Sequence, residues 1–126
     1  MGRLINFFPT SIRKAKRHLE VSQRKMICAA QASRDKLAAY VAALHESEDA
    51  EEQVNEATDA DAESLPGWKA DHEAKEARML ALRAEHAELK SAEDKADKVE
   101  DEAYERLGML EDDYEAYKKL RKISPA

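Results

Sequence analysis

A basic helical stretch from Arg13 to Lys36 and an acidic one from Glu93 to Glu115 flank a Pro66-Gly67 break near the middle of the chain. Both stretches carry apolar residues at three- and four-residue steps, the spacing of one helix face. If the chain turns back at the break, positions whose numbers sum to roughly 128 face one another, and the two opposite charges lie side by side. Both patterns are satisfied by an all-α fold: a long antiparallel two-helix hairpin, coiled-coil-like, with an extended N-terminal arm.

The composition agrees with long helices. Of 126 residues, 38% are charged and 6% aromatic, with three Gly and three Pro, which resembles helical rods more than a mixed α and β domain. Large apolar residues are too few for a thick core, so a thin helix-to-helix seam is the expected way to bury them. Such a seam covers one side of each helix. The remaining Leu, Tyr and Met therefore point to a partner chain.

Five segments are expected. Residues 1–11 form the apolar arm, with Leu4, Ile5, Phe7 and Phe8 ahead of Pro9, which is expected to stop regular structure, and Thr10 or Ser11 placed to cap the first helix. Helix one occupies 12–58, with Ile12, Leu19, Met26, Ala30, Leu37, Tyr40, Leu44 and Val54 on its seam and Lys16, Gln23, Ser33 and Glu51 interrupting it. An acidic tip and Pro-Gly turn occupy 59–67. The run from Glu46 to Ser64 holds nine acids and no base, as a solvated helix end or a flexible tip would.

Helix two covers 68–122, with Ser64 as a candidate N-cap, Pro66 acceptable in a first helical turn and Trp68 packing near the turn. Its seam of Met79, Leu82, His86, Leu89, Ala96, Ala103, Leu107, Leu110, Tyr114 and Tyr117 keeps a heptad spacing with Glu93 and Glu100 as defects. A local shift to Ala92, Ala96, Val99 and Ala103 would avoid both acids. Residues 123–126 are a tail.

Charge sorts the candidate partners. Residues 1–45 carry nine Lys and Arg against two acids, residues 46–115 carry eight against 25, and residues 116–126 carry four against none, for a net −6. Arg13, Lys14, Arg17, Arg24 and Lys25 share one side of helix one, a surface suited to phosphates or an acidic protein. Pairing against the acidic stretch of helix two would neutralise much of it, and Lys118, Lys119, Arg121 and Lys122 also suit a helix C-terminus. Membrane-surface binding by the same cationic helix ranks below nucleic acid.

A second candidate surface is the pole where the arm meets Tyr104, Tyr114, Tyr117, Leu120 and Ile123. Large apolar and aromatic groups ringed by cations are the usual anchors of interfaces. The alternative is that the arm folds back and caps the hairpin end.

Catalysis finds no pattern. Gly2, Gly67 and Gly108 form no phosphate-cradling loop, and two long helices offer no concavity in which a nucleophile and base would meet. His45 with Glu48 and Asp49, and His72 with Glu76, have helical spacing but no Glu-x-x-His pair, so neither a metal nor another cofactor is expected. No apolar run of about 18 residues would span a membrane. The Leu4–Phe8 patch is too short for a signal-peptide core, and Asn6 stands where a myristoylation pattern needs Ser or Thr. Cys28 is the single cysteine, which suits a reducing compartment. The chain is expected in the cytoplasm or within an assembled particle.

These features lead to a non-enzymatic structural or assembly subunit, with a virion component as one setting. It would join copies of itself or other subunits through Leu4, Ile5, Phe7 and Phe8 and through the Tyr-rich pole. A nucleic-acid-binding accessory protein using the basic helix ranks second, and a scaffolding or chaperone-type adaptor third.

Overall fold

The structure, a computed structural model, describes the backbone of residues 2–123 and the side chains of residues 7–122. Helix α1 spans Gly2–Asn55, a 3-10 turn η1 spans Asp59–Asp61, and α2 spans Leu65–Ile123. The two long helices pack against each other as an all-α hairpin, with no strand among the described residues.

The reversal lies earlier than the Pro-Gly pair. Glu56 N–H still donates to Glu52 O at 2.9 Å, closing α1. Thr58 then turns extended, and its N–H donates to Asp61 Oδ2 at 2.9 Å while Asp61 N–H donates to Thr58 O at 2.9 Å. Ser64 N–H donates to Asp61 O, and Ser64 O accepts from Trp68 N–H at 3.1 Å. Pro66 and Gly67 therefore sit in the first turn of α2, where a missing N–H leaves no bond unmade. The Asp61 carboxylate accepts from Thr58 where a backbone partner is lost at the reversal, so the turn is a hydrogen-bonded connection.

Chain contacts divide the hairpin into two units, Ala29–Ala92 and Met1–Cys28 with Glu93–Ala126. In the first unit Lys36 meets Glu85 and Arg78 meets Glu46, pairs whose numbers sum to 121 and 124. In the second, Phe8 stacks on Tyr114 and lies against Tyr117, which gives 122 and 125. Each unit is thus offset by a few residues from the expected sum of roughly 128, because the reversal is centred near η1.

Burial follows one heptad rhythm on each helix. In the Ala29–Ala92 unit the covered positions of α1 include Ala29, Ser33, Lys36, Tyr40, Ala43, Ser47, Ala50 and Val54, with Ala30, Ala32 and Leu44 partly covered beside them, and those of α2 include Trp68, His72, Met79, Leu82, His86 and Leu89. Small residues on α1 accommodate large ones on α2, the interlock that lets two helices approach closely. Lys36 keeps its stem in the seam and reaches Glu85 Oε2 at 3.0 Å.

In the other unit α1 contributes Phe8, Ile12, Ala15, Leu19, Ser22 and Met26, while α2 contributes Glu93, Ala96, Glu100, Ala103, Leu107, Leu110, Tyr114 and Tyr117. Both acids stay on the seam. Ala92 and Val99 are exposed, so the helix keeps its heptad instead of shifting locally. The α1 seam is more regular than its apolar residues suggest. Ser33, expected as an interruption, is 4% exposed, whereas Leu37, expected within the seam, is 42% exposed. Lys16, Gln23 and Glu51 lie off the seam altogether.

Glu100 is the one strained choice on this seam. Its Oε2 is buried without a hydrogen-bond partner, and an unmatched buried carboxylate oxygen costs more than an apolar atom in its place. Glu100→Met, similar in length and unbranched, is expected to raise stability by about 1 kcal/mol in thermal denaturation. An unchanged or lower midpoint would mean the carboxylate is solvated.

The extended arm is not observed. α1 is helical from Gly2 and carries Pro9 inside it, although a proline in a helix interior removes one hydrogen bond and costs about 3 kcal/mol. The offsetting contribution is tertiary: Phe8, one residue earlier, stacks on Tyr114 with centroids 5.5 Å apart and on Tyr117 at 5.4 Å. The segment expected to lack an internal partner has one, in helical form. Of the arm residues, the side chains of Leu4 and Ile5 lie outside the described residues.

Candidate interaction surface

The unit that joins Met1–Cys28 to Glu93–Ala126 concentrates the aromatic groups. Phe7 meets Phe8 edge to face at 5.2 Å, and Phe8 lies between that ring and Tyr114 and Tyr117. Lys118 Nζ sits 4.3 Å from the Tyr114 ring centroid and 2.9 Å from Glu115 Oε1. The hydrogen bond from Lys118, and then its charge, lowers the Glu115 carboxyl below its ordinary range; the same bond raises the Lys118 ammonium above its own. Tyr114 and Tyr117 both reach Phe8 across the seam.

The predicted pole residues separate into two groups. Phe8, Tyr114 and Tyr117 are covered on the seam, while Phe7 is 53%, Tyr104 69% and Leu120 66% exposed. Tyr104 and Leu120 lie on opposite flanks of α2, so they do not form one patch with the stacked rings. The side chain of Ile123 lies outside the described residues.

The basic residues emerge without partners. Arg13, Lys14, Arg17, Arg24 and Lys25 are all exposed, and among the described residues none makes an ion pair within 4.0 Å. The neutralisation expected from the acidic helix is not made through direct contacts, because both charge sets point away from the seam. An open groove of about 550 Å³ between the helices is lined by Ser11, Lys14, Ala15, His18, Glu102, Ala103 and Arg106. Its floor is the pair of small residues Ala15 and Ala103, and its rim is charged.

Elsewhere the surface is less directed. His72 lies 3.9 Å from Glu76, and among the described residues no group of three or more His, Cys, Asp or Glu is placed to hold a metal. Cys28 is exposed. Among the described residues no helix is long and apolar enough to cross a membrane.

No protein-family model, curated protein or solved structure matches the chain.

Two apolar features of this surface escape sequence reasoning. Met109 is 68% and Ile27 61% exposed, and neither belongs to a stripe that the apolar spacing picks out. In the Ala29–Ala92 unit, Ala30, Leu37, Val41 and Leu44 follow steps of seven, four and three on one flank of α1. Apolar spacing alone places Ala30, Leu37 and Leu44 on the seam; Ala30 and Leu44 are partly covered, while Leu37 and Val41 are exposed. The signal that separates the stripes is the second heptad phase, offset by one position from Ala29, Ser33 and Lys36.

Proposed function

We infer that this chain is a non-enzymatic structural subunit of a larger macromolecular assembly, which contacts its partners through the exterior of the helical hairpin near the chain ends. One observation carries the reading: after the seam has taken its residues, Phe7, Tyr104, Met109 and Leu120 each remain more than half exposed. Isolated apolar side chains on a surface are ordinary, but this unit is poor in large apolar residues and leaves close to half of the described ones on the outside. Exposed aromatic groups and methionine among charged residues are what interface cores are made from. The exposed cations Arg13, Lys14, Arg17, Arg24 and Lys25 add orientation and rate to such a contact more than affinity.

The test is the size of the species in extracts of cells that make the protein. The chain is expected in a complex several times its 14.2 kDa mass, and Phe7→Ser with Tyr104→Ser and Leu120→Ser is expected to release it while far-UV circular dichroism stays helical. A wild-type chain that elutes free would sink this reading.

Nucleic-acid binding is the second reading, favoured by the exposure of Arg13, Lys14, Arg17, Arg24 and Lys25 without acidic partners. Affinity for a duplex that falls steeply with salt would carry it.

A further inference from the structure

Two exposed stripes in the unit that holds the chain ends match each other in spacing and oppose each other in charge. On α1, Phe7, Thr10, Lys14, Arg17, Val21 and Arg24 follow alternating three- and four-residue steps on the side away from the seam, and all are exposed. On α2, Asp97, Asp101, Tyr104, Gly108 and Glu111 follow the same rhythm along one flank, again all exposed. No ion pair within 4.0 Å uses Lys14, Arg17, Arg24, Asp97, Asp101 or Glu111 among the described residues. Each stripe also carries an apolar centre, Val21 at 41% and Tyr104 at 69% exposure.

We propose that the α1 stripe of one copy docks on the α2 stripe of a second copy of this chain, in a head-to-tail contact that repeats from copy to copy. The proposal rests on the assembly reading above and names one of its partners. The register is the one that pairs the opposite charges, and it coincides with one of the two ring contacts of Phe8 within the unit. Within the unit, Phe8 lies against Tyr117, positions whose numbers sum to 125. The same antiparallel register between copies sets Lys14 opposite Glu111, Arg24 opposite Asp101, and Val21 opposite Tyr104. Arg17 then lies over Gly108, beside which an added Cβ would meet nothing within 4 Å, so its long side chain has room.

The symmetry follows from where the stripes sit. One is on the far side of α1 from the seam and the other on a flank of α2, so a single neighbour does not receive both through a twofold axis. A contact between different patches is heterologous and builds a ring or an open chain. Charge complementarity selects the neighbour and the apolar centres hold it. A contact resting mainly on exposed ion pairs is weak and salt-sensitive.

The experiment is sedimentation velocity of the purified full chain at rising concentration, in low and in high salt. At low salt the mass is expected to grow past two copies, with association about tenfold or more weaker in high salt. Lys14→Glu with Arg17→Glu and Arg24→Glu leaves two acidic stripes, and Asp97→Lys with Asp101→Lys and Glu111→Lys leaves two basic ones. Each variant alone is expected to stay monomeric, and an equimolar mixture is expected to grow again. A wild-type chain that stays monomeric at low salt, or stops at two copies, overturns the proposal without reference to any variant. So does a mixture that fails to grow while both variants keep wild-type helicity. A wild-type monomer that instead binds a duplex oligonucleotide assigns the basic stripe to phosphates and overturns it as well. Failure here leaves the assembly reading standing, since that reading is judged by the size of the species in cell extract.

Discussion

Phe8→Ala is expected to lower the stability of the chain by about 2 to 3 kcal/mol, near the lower end of what losing a packed phenylalanine costs. The ring is half covered and touches both Tyr114 and Tyr117, so its removal takes contacts from both helices at once. The consequence is larger than the lost area because Pro9 comes directly after it. A proline at that place leaves the helix one hydrogen bond short, and the turns before it depend on tertiary support to stay helical. Backbone amides ahead of Pro9 are therefore expected to lose hydrogen-exchange protection in Phe8→Ala, while those of the Ala29–Ala92 unit change little. Phe7→Ala is the control: with the ring 53% exposed, its cost is expected to be under about 1 kcal/mol. Urea denaturation of the two variants decides the matter. Equal costs would mean that the stacked geometry contributes nothing beyond ordinary surface burial.

The same stack explains why the N-terminal segment is not legible in its own residues. Local rules treat Phe-Phe-Pro as an extended arm, because Pro9 disfavours helix at the residue before it and in the turn preceding it. That preference is worth a few kcal/mol, and a pair of tyrosines more than a hundred residues away outweighs it. Nothing in the segment itself signals this. The hairpin, in contrast, is legible because it is written twice, in the heptad of α2 and in the charge reversal across the turn. The α2 seam reads almost residue for residue, with Glu93 and Glu100 kept on it.

The α1 seam is harder for a physical reason. Apolar size is the signal that periodicity reads, and on α1 size and burial part company. Ala15, Ser22, Ser33, Ala43, Ser47 and Ala50 are buried, while Ile27, Leu37 and Val41 are not. Where two helices approach closely, the position between them accepts only a small side chain, so the most buried residues are the least conspicuous. The cationic surface is predicted from spacing alone and the five residues are indeed exposed. Among the described residues their expected pairing with the acidic helix is not found, since a helical wheel assigns charge to faces without saying which face the partner helix occupies. The turn shows a similar limit. Pro66-Gly67 marks a helix start as well as a break, and the reversal is made by Thr58 and Asp61, whose reciprocal bonds are a weaker sequence signal than a proline.

Ala103→Leu is expected to destabilise the chain by about 2 kcal/mol, because it adds three carbons to a side chain that faces the other helix beneath the groove. Ala103 is 3% exposed, and Ala15, also on the floor of the groove at that level, is 6% exposed. The added isopropyl group must push the helices apart or turn into the groove in a less favoured rotamer. Separation would also loosen neighbouring seam contacts, so the loss is cooperative and is expected as a fall of roughly 6 to 10 °C in thermal midpoint. Ala92→Leu distinguishes this seam from the shifted one in which Ala92, Ala96, Val99 and Ala103 would face α1. Ala92 is exposed, so leucine there is expected to change stability by no more than about 0.5 kcal/mol. Thermal and urea denaturation of the two variants read the seam directly. A large loss from both variants would place α2 in the shifted phase, because Ala103 faces α1 in either one; a large loss from Ala103→Leu alone fixes Glu93 and Glu100 on the buried face. The acids are then retained at a cost to the seam, which Glu100→Met measures independently.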